Sequence, residues 1–169
     1  MTNLLPKFAF FVAGTGRHHD RLQAFDRALL SAGPFAHNLV SVSSIIPSEC
    51  KIISAEEGFK MLIPGQIVFC IMARQDTNTS GHTASSAVGI VQSGKFTNFG
   101  YISEYHGSAS SKDEAENIAK KLAREMFSLK VGVMLEELDI KFLDAIGASI
   151  ENFGDDQWTC AVSLCVFVI

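Results

Sequence analysis

Charge is sparse in this chain, and basic charge sparser still. Asp, Glu, Lys and Arg make up 19 % of the 169 residues, and acids outnumber bases for a net charge of −4. The lysines and arginines are scattered, and no basic cluster alternates with aromatic residues, so a nucleic-acid surface is not expected. There is no CxxC. Cys50, Cys70, Cys160 and Cys165 lie far apart or on strand-like segments, without zinc-ligand spacing, and read as buried thiols in a reducing compartment. His18, His19, His37, His82 and His106 form no metal-ligand motif either. No apolar run approaches the roughly 20 residues that a bilayer-spanning helix needs. Near the N-terminus the run FAFFVA is short, and Pro6 and Lys7 split the apolar residues around it, which suits a first buried strand better than a secretory leader. Internal repeats, linkers and low-complexity stretches are lacking too. These absences leave one cytoplasmic domain, 1–169, with no membrane, nucleic-acid or metal partner expected.

What is present is apolar. Hydrophobic residues make up 47 % of the chain, and the mean hydropathy is +0.22, enough for a substantial core. Lys7 to Ala13 reads as a strand closed by a Gly14-Thr15-Gly16 turn. The helix DRLQAFDRALLSAG follows, with Asp20 and Gln23 spaced as a capping box, an apolar stripe of Leu22, Phe25 and Leu29, and a Gly33-Pro34 stop. The run NLVSVSSII reads as one buried strand ending at Pro47. A short helical turn is expected in AEEGFKML, then a long strand QIVFCIMARQDT and a loop TNTSGHTA. SSAVGIVQS and NFGYISEYHG read as strands joined by a turn at Ser93-Gly94-Lys95. The helix SKDEAENIAKKLAREMFSLK carries Ser111 and Glu114 as a capping box and Ala115, Ile118, Ala119, Leu122 and Met126 as its apolar face. KFLDAIGASI and QWTCAVSLCVFVI close the chain as strands. Many strands with two principal helices predict an α+β fold, mixed or antiparallel sheet covered by helices.

Ser43 and Ser44 pose a question, because hydroxyls inside an apolar strand cost free energy unless they are used. They can satisfy each other or the nearby backbone at a bend before Pro47. A hydrolase nucleophile requires a setting such as G-x-S-x-G, which SVSSI lacks. A third use is self-cleavage: the second hydroxyl attacks the carbonyl before it, and elimination and hydrolysis leave a pyruvoyl group and ammonia. Gly14-Thr15-Gly16 completes neither a Walker motif nor a G-x-G-x-x-G fingerprint.

AFDRALLSAG, NLVSVSSIIP, ISEYHG and the capped, alanine-rich helix occur in an order and spacing that resembles the pyruvoyl-dependent arginine decarboxylases over most of the chain. Phe35-Ala36-His37 and GTGRHHDR depart from that pattern. The resemblance implies a four-layer αββα-type sandwich, assembled as a trimer or dimer of trimers with sites between subunits. It implies cleavage between Ser43 and Ser44 into chains 1–43 and 44–169, the larger beginning with a pyruvoyl group made from Ser44, and no need of metal or pyridoxal phosphate. Arginine would then be converted to agmatine and CO2 through a Schiff base with that group. By the same resemblance Glu104 donates the proton that replaces CO2, Asn38 holds the scissile carbonyl or the substrate carboxylate, and Asp26 grips the guanidinium through paired hydrogen bonds. Two other functions stay open: a pyruvoyl decarboxylase of another amino acid, or an unprocessed homologue that serves as an assembly or regulatory subunit.

Overall fold

The computed structural model describes residues 4–94, 98–154 and 156–169. In chain order its elements are β1 (Phe8–His18), α1 (Arg21–Ala32), β2 (Asn38–Ser41), β3 (Ile45–Pro47), β4 (Lys51–Ile52), α2 (Ala55–Lys60), β5 (Ile67–Thr77), β6 (Thr83–Ser93), β7 (Phe99–Gly107), α3 (Lys112–Val131), a short 3-10 turn (Leu135–Glu137), β8 (Ile140–Glu151) and β9 (Trp158–Val168). One sheet has the order β2-β5-β9-β1-β4 and the other β3-β7-β6-β8. The long strands pair antiparallel, and only the short edges β2 and β4 run parallel to their neighbours. The turn expected at Ser93-Gly94-Lys95 falls in part on residues 95–97, which lie outside those described.

Three apolar layers hold this α+β arrangement together. Phe10, Val12, Val68, Val162 and Leu164 pack outward from the five-stranded sheet against Ala24 and Ala28 of α1. Ala9, Ile46, Ile71, Ile90, Ile102 and Cys165 meet between the two sheets. Ala87, Ala115 and Ala119, followed by Val91, Ala123 and Phe127, join α3 to the outer face of the four-stranded sheet. The order is therefore helix, sheet, sheet, helix, the four layers expected. Alternation along β1 and β7 sends successive side chains into different layers, which is why both strands are buried on two sides over much of their length.

Several local expectations shift. Gly14 and Gly16 make no turn: β1 runs through them to His18. They are there because α1 lies directly on the strand, and a Cβ would stand 2.4 Å from the Ala28 carbonyl oxygen at Gly14 and 2.2 Å from that of Ala24 at Gly16. This contact also explains why the face of α1 is centred on Ala24 and Ala28, leaving Leu22 70 % exposed. Likewise α3 buries Ala115, Ala119, Ala123 and Phe127, an i, i+4 series, while Met126 faces out. Asp20 accepts from the Gln23 N–H, but its own N–H goes to His18. Ser111 caps α3 through the Glu114 N–H, and the Glu114 carboxylate reaches one residue further back, to Ser110. The full reciprocal box belongs to α2, between Ser54 and Glu57.

Candidate active site

NLVSVSSII is two strands. β2 lies at one edge of the five-stranded sheet, parallel to β5 with Ser41 opposite Cys70, and β3 lies at the same-side edge of the four-stranded sheet with Ile45 opposite Tyr101. Val42, Ser43 and Ser44 carry the chain from one sheet to the other. The Val42 N–H donates to the Cys70 carbonyl at 2.9 Å on the first sheet. On the second, the Ser44 carbonyl accepts from the Ile102 N–H at 2.7 Å. The Ser43–Ser44 peptide is thus tied down at both ends and spans the mouth of the sandwich. Most of the segment is exposed, with Ser44 half-buried and Ile46 fully buried as the anchor beyond it. The expectation of a continuous buried strand fails because its two halves satisfy different sheet edges.

The Ser43 carbonyl has a backbone donor. Ile45 N–H points to it at 3.0 Å, closing a three-residue turn around Ser44. A donor on that oxygen is what an attack on the adjacent carbon requires, since negative charge develops there. Beside the bend opens a groove of about 320 Å³, lined by Val42, Ser43, Ile45, Phe69 and Phe167 among others. Neither Ile45 nor Ile102 is legible as a site residue in the sequence, because each contributes only its N–H.

Glu104 reaches the same mouth. It lies two residues past Ile102 on β7, roughly 7 Å along the strand, on the face that Ile102 presents to the space between the sheets. Its cross-strand partner is Val88. In the single chain its side chain is open at the mouth, yet the apolar surroundings desolvate the carboxyl in part. That desolvation raises its pKa above the ordinary carboxylate value, and His106 opposes the shift more weakly. Cys70 feels its charge: burial first, then Glu104, pushes the thiol up to about 12.

Asn38 and Asp26 sit elsewhere in the single chain. The Asn38 side-chain amide donates to the Gly65 carbonyl at 2.9 Å, and its N–H donates to the Gln66 carbonyl. It clamps the turn before β5 at the far end of β2, about 17 Å of extended chain from Ser43. Asp26 is on the exposed side of α1, four residues from Leu22 and from Leu30, both also exposed. Ser43, Ser44 and Glu104 are brought together, and Asn38 and Asp26 do not join them within one chain. No group of His, Cys, Asp and Glu among the described residues has a metal-holding arrangement.

An αββα sandwich whose paired serines cross between its sheets at a bend hydrogen-bonded from both sides, with a partly desolvated carboxyl two residues past Ile102 on β7, defines the class of protein. The chain belongs to the pyruvoyl-dependent arginine decarboxylase family, whose model matches residues 8–169. Among its relatives, pyruvoyl-dependent arginine decarboxylase 1 of Methanosarcina acetivorans is 39 % identical, with 100 % of this chain and 99 % of the relative covered. The Methanosarcina mazei protein of the same name is 41 % identical over the same shares. Pyruvoyl-dependent arginine decarboxylase 2 of Archaeoglobus fulgidus is 40 % identical, covering 98 % of this chain and 99 % of that one.

Proposed function

We propose that this protein is a self-processing decarboxylase that converts L-arginine to agmatine and CO2. The observation that carries the reading is the Ser43–Ser44 peptide itself, anchored on both sheets with a backbone donor on the Ser43 carbonyl, in a chain of this family. The Ser44 hydroxyl attacks the Ser43 carbonyl carbon, and the Ile45 N–H steadies the oxyanion while the amide becomes an ester. Loss of the Ser44 Cα proton expels Ser43 as a carboxylate, ending chain 1–43. Water then replaces the enamine nitrogen of the remaining residue, releasing ammonia and leaving chain 44–169 with a pyruvoyl terminus. That group supplies a ketone which, as a Schiff base with the substrate amine, accepts the electron pair left by CO2. Glu104 then delivers a proton to the former α-carbon, a role its apolar surroundings support by favouring the neutral carboxyl.

Asp26 supplies the match to a guanidinium, two acceptor oxygens against paired N–H donors. Asp26 and Asn38 would reach Ser44 of an adjacent subunit, in a trimer or dimer of trimers. Exposed Leu22, Leu30, Val40, Val42, Ile45 and Ile67 support such an assembly, because they lie on α1 beside Asp26, along the β2–β5 edge from Asn38 to the bend, and on β3. Four free, buried cysteines fit a cytoplasmic setting.

Intact mass tests the reading directly. The purified protein should give two masses, for 1–43 and for a pyruvoyl-bearing 44–169, and Ser44→Ala should give one. A single unbroken chain that nonetheless releases CO2 from arginine would overturn the scheme. Release of CO2 from another amino acid with indifference to arginine would remove the substrate assignment and the role of Asp26 with it.

A further inference from the structure

We propose that the Ile102 N–H is the donor for the second half of self-cleavage, the elimination that releases Ser43, and that it stays on the same oxygen once the pyruvoyl group exists. The inference rests on the self-processing reading for the bond that breaks, and on the backbone geometry of the bend for the donor. The two carbonyls of the bend have separate donors: the Ile45 N–H serves the Ser43 oxygen at 3.0 Å, and the Ile102 N–H serves the Ser44 oxygen at 2.7 Å. Each oxygen takes up charge at a different stage. Attack by the Ser44 hydroxyl places it on the Ser43 oxygen. The elimination that follows places it on the Ser44 oxygen, because the C–H that must ionise is α to that carbonyl.

In that step the Ser44 Cα proton passes to water at the bend, and the C–H electron pair becomes an enolate on the Ser44 oxygen. The pair then returns to form the Cα=Cβ double bond as the Cβ–O ester bond breaks, and Ser43 leaves with that bond's electrons as a carboxylate. Nothing is oxidised or reduced. A C–H beside an amide carbonyl is a weak acid, so a donor aimed at the enolate oxygen is what this step lacks without help. Ile102 is built to hold its N–H still. Its side chain is fully buried among Ile46, Ile71 and Ile90. It stands opposite Ile90 of β6, and on its other side β7 pairs with β3 through Tyr101–Ile45 and Gly100–Ile46. Ser44 precedes β3 and is only half-buried, so the fixed member of this hydrogen bond is the donor. A donor held by the fold needs no reorganisation when charge appears. The Ser44 carbonyl also lies on the C-terminal side of the scissile peptide, so cleavage leaves it in place. The Ile102 N–H thereby holds the amide carbonyl of the pyruvoyl group, next to the ketone that supplies the electron-accepting chemistry.

Backbone ester substitution tests the assignment, since an α-hydroxy acid in place of Ile102 removes the N–H and keeps the side chain. A matching ester at Ser103 is the control, because alternation along β7 turns that N–H toward β6 instead. Cleavage of wild type and of both ester proteins is followed by intact mass, with hydroxylamine added to split any ester that joins Ser43 to Ser44. Scission at an introduced ester gives fragments of other masses. The Ile102 ester should release Ser43 roughly 100-fold more slowly than wild type and accumulate full-length chain that hydroxylamine splits after Ser43. The Ser103 ester should cleave as wild type does. Equal rates for wild type and the Ile102 ester, or equal slowing by both esters, overturn the assignment. So does a slowed Ile102 ester that hydroxylamine leaves intact after Ser43, since the block then precedes the elimination. Where the esters prevent folding, amide hydrogen exchange decides. In Ser44→Ala and in cleaved wild type the Ile102 N–H should exchange as slowly as its neighbours on β7. Free exchange in the first removes it from the elimination, and free exchange in the second removes it from the mature group. An unbroken wild type removes the self-processing reading and this role with it, whereas a cleaved wild type matched by the Ile102 ester removes this role alone.

Discussion

At the scale of single residues, Glu104 sits where its surroundings work against its charge. Its carboxyl has a raised pKa because apolar surroundings disfavour the anion, so the folded state binds that proton more tightly than the unfolded chain does. The sign follows: Glu104 lowers stability progressively as pH rises from the ordinary glutamate value through the raised one. Glu104→Gln should therefore unfold at equal or higher urea concentration than wild type at pH 7, with the difference disappearing near pH 4. The same variant should still cleave itself but decarboxylate arginine on the order of 100-fold more slowly, the usual contribution of a positioned acid. Asp26→Asn keeps the shape and loses the charge on the exposed face of α1. Its KM for arginine should rise by at least about tenfold, with self-cleavage unaffected, as steady-state assay and intact mass would show.

Elements are held by two contacts that composition does not advertise. The first is the seat of α1 on β1. Gly16→Ala pushes a methyl to within 2.2 Å of the Ala24 carbonyl oxygen, so the helix must lift, at about 3 kcal/mol in a denaturation experiment. The second is Asp76 at the end of β5. Its buried carboxylate accepts from Arg21, at the start of α1, at 2.9 Å and from Arg74 at 2.9 to 3.1 Å, while Arg74 stacks 3.9 Å from the Phe25 ring centroid. Burial alone would raise the pKa of Asp76, but hydrogen bonds from Arg74, Cys160 and Arg21 together hold it below the usual value. A lowered pKa contributes stability that is complete above the ordinary aspartate value of about 3.9 and is lost as pH falls through the lowered one. Asp76→Asn should cost roughly 2 kcal/mol near neutral pH and much less in strong acid, so the stability profiles of the two proteins should converge as pH falls through the lowered Asp76 value.

For the whole molecule, the decisive feature is that two sheet edges end side by side. β2 and β3 border the same mouth, joined by the Val42–Ser44 crossing, and apolar side chains remain exposed along the β2–β5 edge, from Val42 at the mouth to Ile67, opposite Asn38, at the far end. Ile67→Glu should weaken assembly and arginine turnover together, read by sedimentation and by CO2 release, because a charge at an apolar contact is left unpaired. Among the described residues no helix is long and apolar enough to cross a bilayer.

Local pattern was enough for some of this. The caps at Asp20, Ser54 and Ser111, the ends of the helices and the run of strands are short-range matters of spacing and hydrogen-bonding chemistry, and AFDRALL with VSSIIP carried the family by itself. Other features had no local signal. Gly14 and Gly16 look like a turn until a helix is laid over them, and nothing local to Asn38 shows that its amide donates to Gly65, which meets it only after folding. NLVSVSSII looks like one strand because each half is locally extended. Only the two sheets, closing face to face, decide that the chain must cross between them at Ser43–Ser44, because the backbone groups on either side find their partners on β5 and β7.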